Sequence, residues 1–228
     1  MIINFLIIIQ GTMKSILIIG MGKFGHHLCE NLLKLGNDVM AVDISEDKVA
    51  DMIYKVTNIQ IGDCTNPQVV RSFGVGNFDI VFVCIGSNFQ NSLEVTSLVK
   101  EMGAKHVISK ANRDVHAKFL LRNGADEVIY PDRDIAVKLA KRCSINHVFD
   151  YIELNGEYSI YEIPLKDEWI GHSIMELNFR QTYGVDILGV KKGTETNISP
   201  AADYVFSEGE HLMILANQEC ASKLLKQI

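Results

Sequence analysis

The sequence predicts an α/β protein, a doubly wound parallel sheet followed by a smaller α+β module. Three observations carry that expectation. Between residues 15 and 143, apolar runs of strand length alternate strictly with helical patterns, six β-α pairs in succession. The first of these runs, "SILIIG" (15–20), is continuously aliphatic, as a strand covered on both faces should be. After Asn146 the alternation stops, and strand candidates follow one another with turn signals between them.

Each element has its own signal. Residues 22–35 repeat apolar positions at Phe24, Leu28, Leu32 and Leu35, and Gly36 stops that helix. "DVMAVD" (38–43) is the second strand. Ser45 predicts the N-cap of a helix over 45–54, with Glu46 and Asp47 in its first turn. "TNIQIGD" (57–63) is a short strand, and Asn66-Pro67 opens the next helix. Then come the strand "FDIVFVCIG" (78–86), a helix over 88–102, the strand "HVISK" (106–110), a helix over 112–122, the strand "EVIY" (127–130) and a helix over 131–143. The second part offers strands at 158–165, 185–193 and 211–217 and short helices near 171–177 and 218–227. Its turn signals are Asn155-Gly156, Lys192-Gly193 and Glu208-Gly209. The expected domains are 13–146 and 155–228, joined by a linker over 147–154.

Composition narrows the function. The 228 residues carry a formal charge of −6, and residues 155–228 hold 11 acidic against 6 basic side chains. Neither part has the basic excess that would hold nucleic acid or an anionic membrane. The five cysteines (Cys29, Cys64, Cys84, Cys143, Cys220) form no C-x-x-C pair and mostly sit in apolar runs, as buried thiols of a reducing compartment do. The apolar run 2–9 is far shorter than the ~20 residues that cross a bilayer, and it lacks the basic flank and cleavage site of a secretory signal. Residues 1–12 are therefore expected either as an extra strand or, preferably, as an extension ahead of a start at Met13. A cytoplasmic protein without direct membrane insertion is expected.

The strongest motif is "GMGKFG" at residues 20–25, a G-x-G-x-x-G that follows one strand and opens a helix. In a Rossmann-like site Gly20 makes the tight turn, Gly22 lets the backbone approach a pyrophosphate, and Gly25 lets helix and strand pack closely. The helix N-terminus then offers free N–H groups to phosphates. Asp43 ends the second strand 18 residues after Gly25, where a carboxylate accepts from the ribose hydroxyls and disfavours a 2′-phosphate. Lys23 stands at the mouth of the phosphate site, with Met21 and Phe24 beside it in the loop and Ile44 and Ser45 following Asp43. Asp63 and Cys64 end the third strand, where adenine is expected; Asp63 accepts from the adenine amino group or only begins the turn. Cys84, Ile85 and Gly86 end the fourth strand and Lys110 the fifth. No histidine among His26, His27, His106, His116, His147, His172 and His211 has a recognisable catalytic setting, and no H-E-x-x-H, G-x-S-x-G or P-loop appears. The site reads as built to bind rather than to react.

Beyond the glycines, the ordered stretches "VMAVDISEDKV", "IGDCTN", "NFDIVFVCIGSNFQNSL", "KHVISKAN", "RNGADEVIYPDRDIAVKLA", "VFDYIEL" and "SIMELNFRQTYGVDILGVKKG" resemble the RCK (regulator of potassium conductance) proteins. More narrowly, the chain resembles the TrkA/KtrA-type regulatory subunits of bacterial potassium uptake systems from Met13 onward. The resemblance implies an RCK N-domain and a small RCK C-domain with no catalysis. It also implies ATP or ADP in the N-domain, NAD(H) in some members, and a homodimer assembling into an octameric ring on a membrane-embedded potassium transporter. Carried over by position, Lys23 stands where the family has an arginine reaching the terminal phosphate; lysine keeps the charge but loses the bidentate fork. Asp132 falls where Ktr-type members have a glutamate that helps hold a divalent cation, Mg²⁺ or Ca²⁺, beside the phosphates. In the C-domain, Ile174, Met175, Asn178, Phe179 and Arg180 match a region that binds cyclic di-AMP in relatives, and Arg180 meets a phosphate or pairs with Glu176 one turn back. Two alternatives stand beside this reading: an NAD(H)-sensing Trk-type subunit, and a small NAD-dependent dehydrogenase of the siroheme-synthesis type, which would carry a helical dimerisation segment at its C-terminal end.

Overall fold

The computed structural model describes residues 13–56, 58–144, 149–154 and 156–228. The expectations that rest on residues 1–12, on His147 and on Asn155 lie outside those residues. The chain forms two compact units that divide between Asp134 and Ile135.

The first unit is a six-stranded parallel sheet in the order β3-β2-β1-β4-β5-β6. Its strands are β1 (Ser15–Ile19), β2 (Asp38–Asp43), β3 (Asn58–Ile61), β4 (Ile80–Val83), β5 (Val107–Lys110) and β6 (Glu127–Ile129). Its helices are α1 (Lys23–Lys34), α2 (Pro67–Ser72), α3 (Phe89–Glu101) and α4 (Asp114–Arg122), with α5 (Pro131–Ser144) beginning at its end. β1 explains why the run is continuously apolar. Ile16 and Ile18 pack with Cys29, Val39 and Ala41, whereas Leu17 and Ile19 pack with Met40, Val42, Val81 and Val83. Both faces of the strand are thus core, and no polar alternation is allowed. Local chemistry sets the helix starts: Asn66 accepts from the Gln68 N–H at 2.9 Å, and Asn88 from the Asn91 N–H at 3.0 Å.

The helix expected over 45–54 is not formed. Two short 3₁₀ turns, Glu46–Lys48 and Ala50–Met52, take its place. Val49 and Met52 are fully buried three residues apart, a spacing that eclipses in a 3₁₀ helix. Ser45 caps nothing with its side chain; its N–H instead donates to Asp43 at 2.9 Å.

The second unit is a five-stranded antiparallel sheet in the order β10-β9-β11-β8-β7. It comprises β7 (Asp150–Glu153), β8 (Tyr158–Pro164), β9 (Asp186–Lys192), β10 (Glu195–Ile198) and β11 (His211–Asn217), with α6 (Ile174–Leu177), α7 (Phe179–Tyr183) and α8 (Gln218–Leu225). β8 and β11 bury alternate residues, the sign of a sheet with one core face. That core is aromatic: Trp169, Phe179 and Phe206 are buried, and Trp169 lies edge-on to Phe179 at 4.8 Å and to Tyr183 at 5.6 Å. α6 starts with a reciprocal cap in which Glu176 N–H donates to Ser173 Oγ and Ser173 N–H to Glu176 Oε2. One expectation needs correction, and one strand goes beyond the expectations. The segment read as a linker over 147–154 contains β7, which pairs with β8, and β10 was not anticipated. Among the described residues, no helix is long and apolar enough to cross a membrane.

Candidate functional site

In the first unit the chain runs β1-β2-β3 to one side and then returns to the other side of β1 with β4. The crevice at the carboxyl ends of β1 and β4 is therefore the switch point where ligands bind in such sheets. A cavity of about 550 Å³ lies there.

The three loop glycines have different reasons to be glycine. Gly20 has φ of +101°, and a Cβ on it would stand 3.1 Å from the Cys84 backbone carbon. A Cβ on Gly25 would be 2.1 Å from the Gly20 carbonyl oxygen, so α1 can sit on the β1 turn only without one. Among the described residues, a Cβ on Gly22 would meet nothing within 4 Å. Gly22 is the N-cap of α1, lines the cavity and has no side-chain cap, and the first turn of α1 has no acidic residue. The N–H groups of a helix's first turn have no intrahelical acceptor and carry the positive end of its dipole, and α1 begins at the cavity wall.

Asp43 is buried at 6% exposure at the floor of the cavity wall. Its Oδ2 accepts from the Met21 N–H at 2.7 Å and its Oδ1 from the Ser45 N–H at 2.9 Å. Lys48 adds a longer contact, with Nζ 3.4 Å from Oδ1. One carboxylate thus ties the glycine loop to the end of β2 and still faces the cavity. Asp63 also lines the cavity while making a tight turn of its own, accepting from the Thr65 N–H at 2.9 Å and the Thr65 hydroxyl at 2.8 Å. The Thr65 backbone bond first, and the hydroxyl second, hold its carboxyl below the usual carboxylate range. Of the two roles expected for Asp63, the turn is therefore seen directly.

The cavity wall also takes in Lys23, Phe24, Ile44, Cys64, Cys84, Ile85, Gly86, Lys110 and Asp132. Burial pushes the Cys64 and Cys84 thiols up to about 12, so both stay protonated and unreactive at neutral pH. Lys110 Nζ stands over the Phe24 ring, 5.6 Å from its centre. Asp132 is exposed in the first turn of α5. Among the described residues no group of three or more His, Cys, Asp or Glu is placed to hold a metal ion.

Other expected residues are placed differently. Met21 is buried and gives the site only its backbone N–H, and neither it, Gly25 nor Ser45 lines the cavity. Arg180 belongs to the second unit, and its partner is Asp186, 2.6 Å away, rather than Glu176. Glu176 is held by the Ser173 cap and lies 3.6 Å from His172. His116 is buried and bonded to Ser92 Oγ at 2.6 Å, packed against Phe89. Sequence reasoning missed Lys48 and Asn112 as cavity residues. Asn112 donates its side-chain amide to the Gly86 carbonyl and accepts the Tyr130 hydroxyl at its own carbonyl. Lys48 lies five residues after Asp43, on the 3₁₀ turn Glu46–Lys48 that stands where a helix was expected.

A glycine-rich loop, a buried acid at the end of β2 and a cavity at the switch point define a domain of the Rossmann class. Residues 16–131 match the TrkA-N domain family and residues 158–228 the TrkA-C domain family. The chain is 36% identical over 215 residues to the Ktr system potassium uptake protein C of Bacillus subtilis, covering 94% of this chain and 97% of that protein. It is 36% identical over 206 residues to the Ktr system potassium uptake protein A of the same organism, covering 90% and 93%. The fold matches the GsuK channel bound to NAD with a TM-score of 0.63 at 19% identity, over 92% of this chain; the chain spans 38% of that longer channel chain. The chain therefore belongs to the family of Ktr-type potassium uptake proteins built from TrkA-N and TrkA-C domains. Residues 150–225, among those described, form an antiparallel sheet with short helices. The helical dimerisation segment required by the dehydrogenase alternative is not what stands there.

Proposed function

We propose that this protein is the nucleotide-sensing regulatory subunit of a Ktr-type potassium uptake system, with ATP or ADP in the cavity at the ends of β1 and β4. One observation carries the reading: Gly22 is glycine with no contact among the described residues to require it, at a helix N-terminus that lines the cavity. A polyphosphate is the ligand that such N–H groups and dipole favour, and Lys23 and Lys110 line the same cavity. Asp43 would hold the ribose. NAD(H), which shares the ADP half, is the second ligand, and the NAD-bound GsuK relative supports its inclusion.

In this reading the protein acts as a homodimer within a ring docked, on the cytoplasmic side, to a membrane-embedded potassium transporter. The Ktr relatives support a potassium-uptake partner. A ligand shifts two ring shapes only by its differential affinity for them. A γ-phosphate reached by Lys23 of a neighbouring subunit, with Mg²⁺ or Ca²⁺ at Asp132, would supply that difference.

The test is a thermal-shift panel with ATP, ADP, NAD⁺, NADH and cyclic di-AMP, each with and without Mg²⁺. A ligand at 100 times its Kd adds about 2.7 kcal/mol, roughly 5–10 °C for a chain of this size. ATP and ADP are expected to give such shifts, magnesium-sensitive for ATP, and Asp132→Ala is expected to lose that sensitivity. Shifts with NAD⁺ and NADH alone would replace ATP and ADP as the sensed ligands. A shift with cyclic di-AMP would add a second ligand at the Arg180 region, where it must compete with Asp186 for the guanidinium.

A further inference from the structure

We propose that Lys48 sets ribose specificity at this site by admitting a 2′-phosphate that Asp43 alone would exclude. The proposal deepens the nucleotide reading above and rests on it. A lone carboxylate at the end of β2 selects for a free 2′,3′-diol, because its charge repels a phosphate on the 2′-oxygen, and a neighbouring cation reverses that selection. Here Asp43 has such a neighbour. Lys48 Nζ lies 3.4 Å from Asp43 Oδ1, and both residues line the cavity.

The geometry separates the two groups in a useful way. Asp43 is fixed from behind: its side chain is 5% exposed, and both oxygens accept backbone N–H groups, from Met21 and from Ser45. Those two bonds use about half of the carboxylate's acceptor capacity, and a diol hydroxyl can take another position. Lys48 comes from the solvent side, on the 3₁₀ turn Glu46–Lys48, with 49% of its side chain exposed. Its contact with Asp43 is long for a charge-assisted hydrogen bond, so it is easily given up. A 2′-phosphate projecting outward past Asp43 would arrive where the ammonium already is. The flexible four-carbon stem lets that ammonium swing onto the phosphate while staying close enough to offset Asp43. Among the described residues no arginine lines the cavity. Lys23 and Lys110 stand on the glycine-loop helix and at the end of β5, so of the lining cations Lys48 is the one in contact with the ribose-binding acid.

The experiment compares ADP with its 2′-phosphorylated counterpart, adenosine 2′-phosphate 5′-diphosphate, by calorimetric titration of the full chain and of Lys48→Met and Lys48→Arg. The wild-type chain is expected to bind both, and Lys48→Met to weaken the 2′-phosphorylated ligand at least tenfold more than ADP. Lys48→Arg is expected to keep the wild-type ratio. Lys48 is half-exposed and packs in no core, so the variants are expected to melt with the wild type, which a thermal scan checks. Binding of ADP with no binding of the 2′-phosphorylated ligand overturns the role of Lys48 and leaves the nucleotide site standing. So does a change of less than tenfold in the ratio for Lys48→Met. Failure of both ligands to bind the wild-type chain removes the nucleotide reading itself, and the Lys48 proposal with it.

Discussion

The two units of this protein reach stability by opposite routes. The first buries aliphatic residues on both faces of one parallel sheet: Ile16 and Ile18 on one side, Leu17 and Ile19 on the other, each 2% exposed or less. The second buries one face of an antiparallel sheet under an aromatic cluster of Trp169, Phe179, Tyr183 and Phe206. A two-faced core leaves the ends of the strands as the free surface, and the cavity is found there. The second unit has a cavity of its own, about 500 Å³, beside β7 and β8 and lined by Tyr151, Glu153, Ser159 and Tyr161 with Ala221 and Leu225 of α8. Its cavity therefore lies against the sheet rather than at the strand ends.

Emptying the aromatic core separates the two units with the largest expected effect. Trp169 is 1% exposed and touches two rings edge-on. Trp169→Ala is expected to cost about 3–5 kcal/mol, measured as a loss of hydrogen-exchange protection. If the units hold themselves together, protection falls in β8, β9 and β11 and stays in β1, β2 and β4. Equal loss in both sets would mean one cooperative body in place of two.

The first unit has its own sharp test, because two glycines three residues apart, Gly22 and Gly25, should behave oppositely. Gly25→Ala forces a Cβ to within 2.1 Å of a backbone oxygen, and an expected cost of about 3 kcal/mol follows from overpacking with nothing flexible to yield. Gly22→Ala meets no atom of the described residues within 4 Å and is expected to leave the melting temperature of the free protein within about 2 °C, a cost of about 0.5 kcal/mol. Its effect belongs to the ligand: ADP affinity is expected to fall at least tenfold in a calorimetric titration. A stable Gly22→Ala protein with undiminished ADP binding would remove the main support for the phosphate site.

The same contrast accounts for what the sequence made legible. Every strand of the parallel unit was readable, including the edges β3 and β6, because each is an apolar run set off by turn and helix-start signals, such as Asn66-Pro67 after β3 and Pro131 after β6. In the antiparallel unit the three central strands β8, β9 and β11 were readable and the two edges were not. β7, "DYIE", and β10, "ETNI", are short and charged, and all four residues of β10 are exposed. Edge strands are kept that way to prevent pairing with other chains, which is also what hides them. In the site, motif residues such as Gly20, Gly22 and Asp43 were legible from spacing. Lys48 was not, since its approach depends on the 3₁₀ turns that bury Val49 and Met52. Neither was the pairing of Arg180 with Asp186, which depends on where β9 begins.

Acid is expected to reach the two units at different pH values. Burial, with Arg113 adding a smaller push, holds His116 below its ordinary 6.5. The unfolded chain therefore binds that proton first, and the first unit loses stability as pH falls through 6.5 until His116 itself protonates. In the second unit burial works to raise Glu162, but hydrogen bonds from His211 and Lys191 outweigh it and leave Glu162 below its ordinary 4.5. That contribution is complete above 4.5 and is lost only as pH falls below it. Hydrogen exchange between pH 7 and pH 5 should therefore show β1, β4 and β5 weakening before β8 and β11, and His116→Gln should remove the early loss. Simultaneous weakening, or an early loss that survives in His116→Gln, would show that His116 does not set the difference.

The smallest expected effect concerns how each unit turns its chain. In the first unit every described residue with left-handed backbone is a glycine, whereas the second uses Asn178, with φ of +43°, and Ser199, with φ of +54°. Asn178 separates α6 from α7, and its side-chain amide donates to Gln181 at 2.9 Å. Asparagine is among the few residues with a side chain that tolerate this region, through local hydrogen bonding of that kind. Asn178→Ala keeps the Cβ and loses the amide, and is expected to cost roughly 1 kcal/mol. Asn178→Gly loses both and is expected to change stability by less than about 0.5 kcal/mol, the relief of backbone strain offsetting the lost bond. Thermal denaturation of the two variants gives the order. If alanine proves no worse than glycine, the Gln181 contact rather than the backbone conformation is why asparagine stands there.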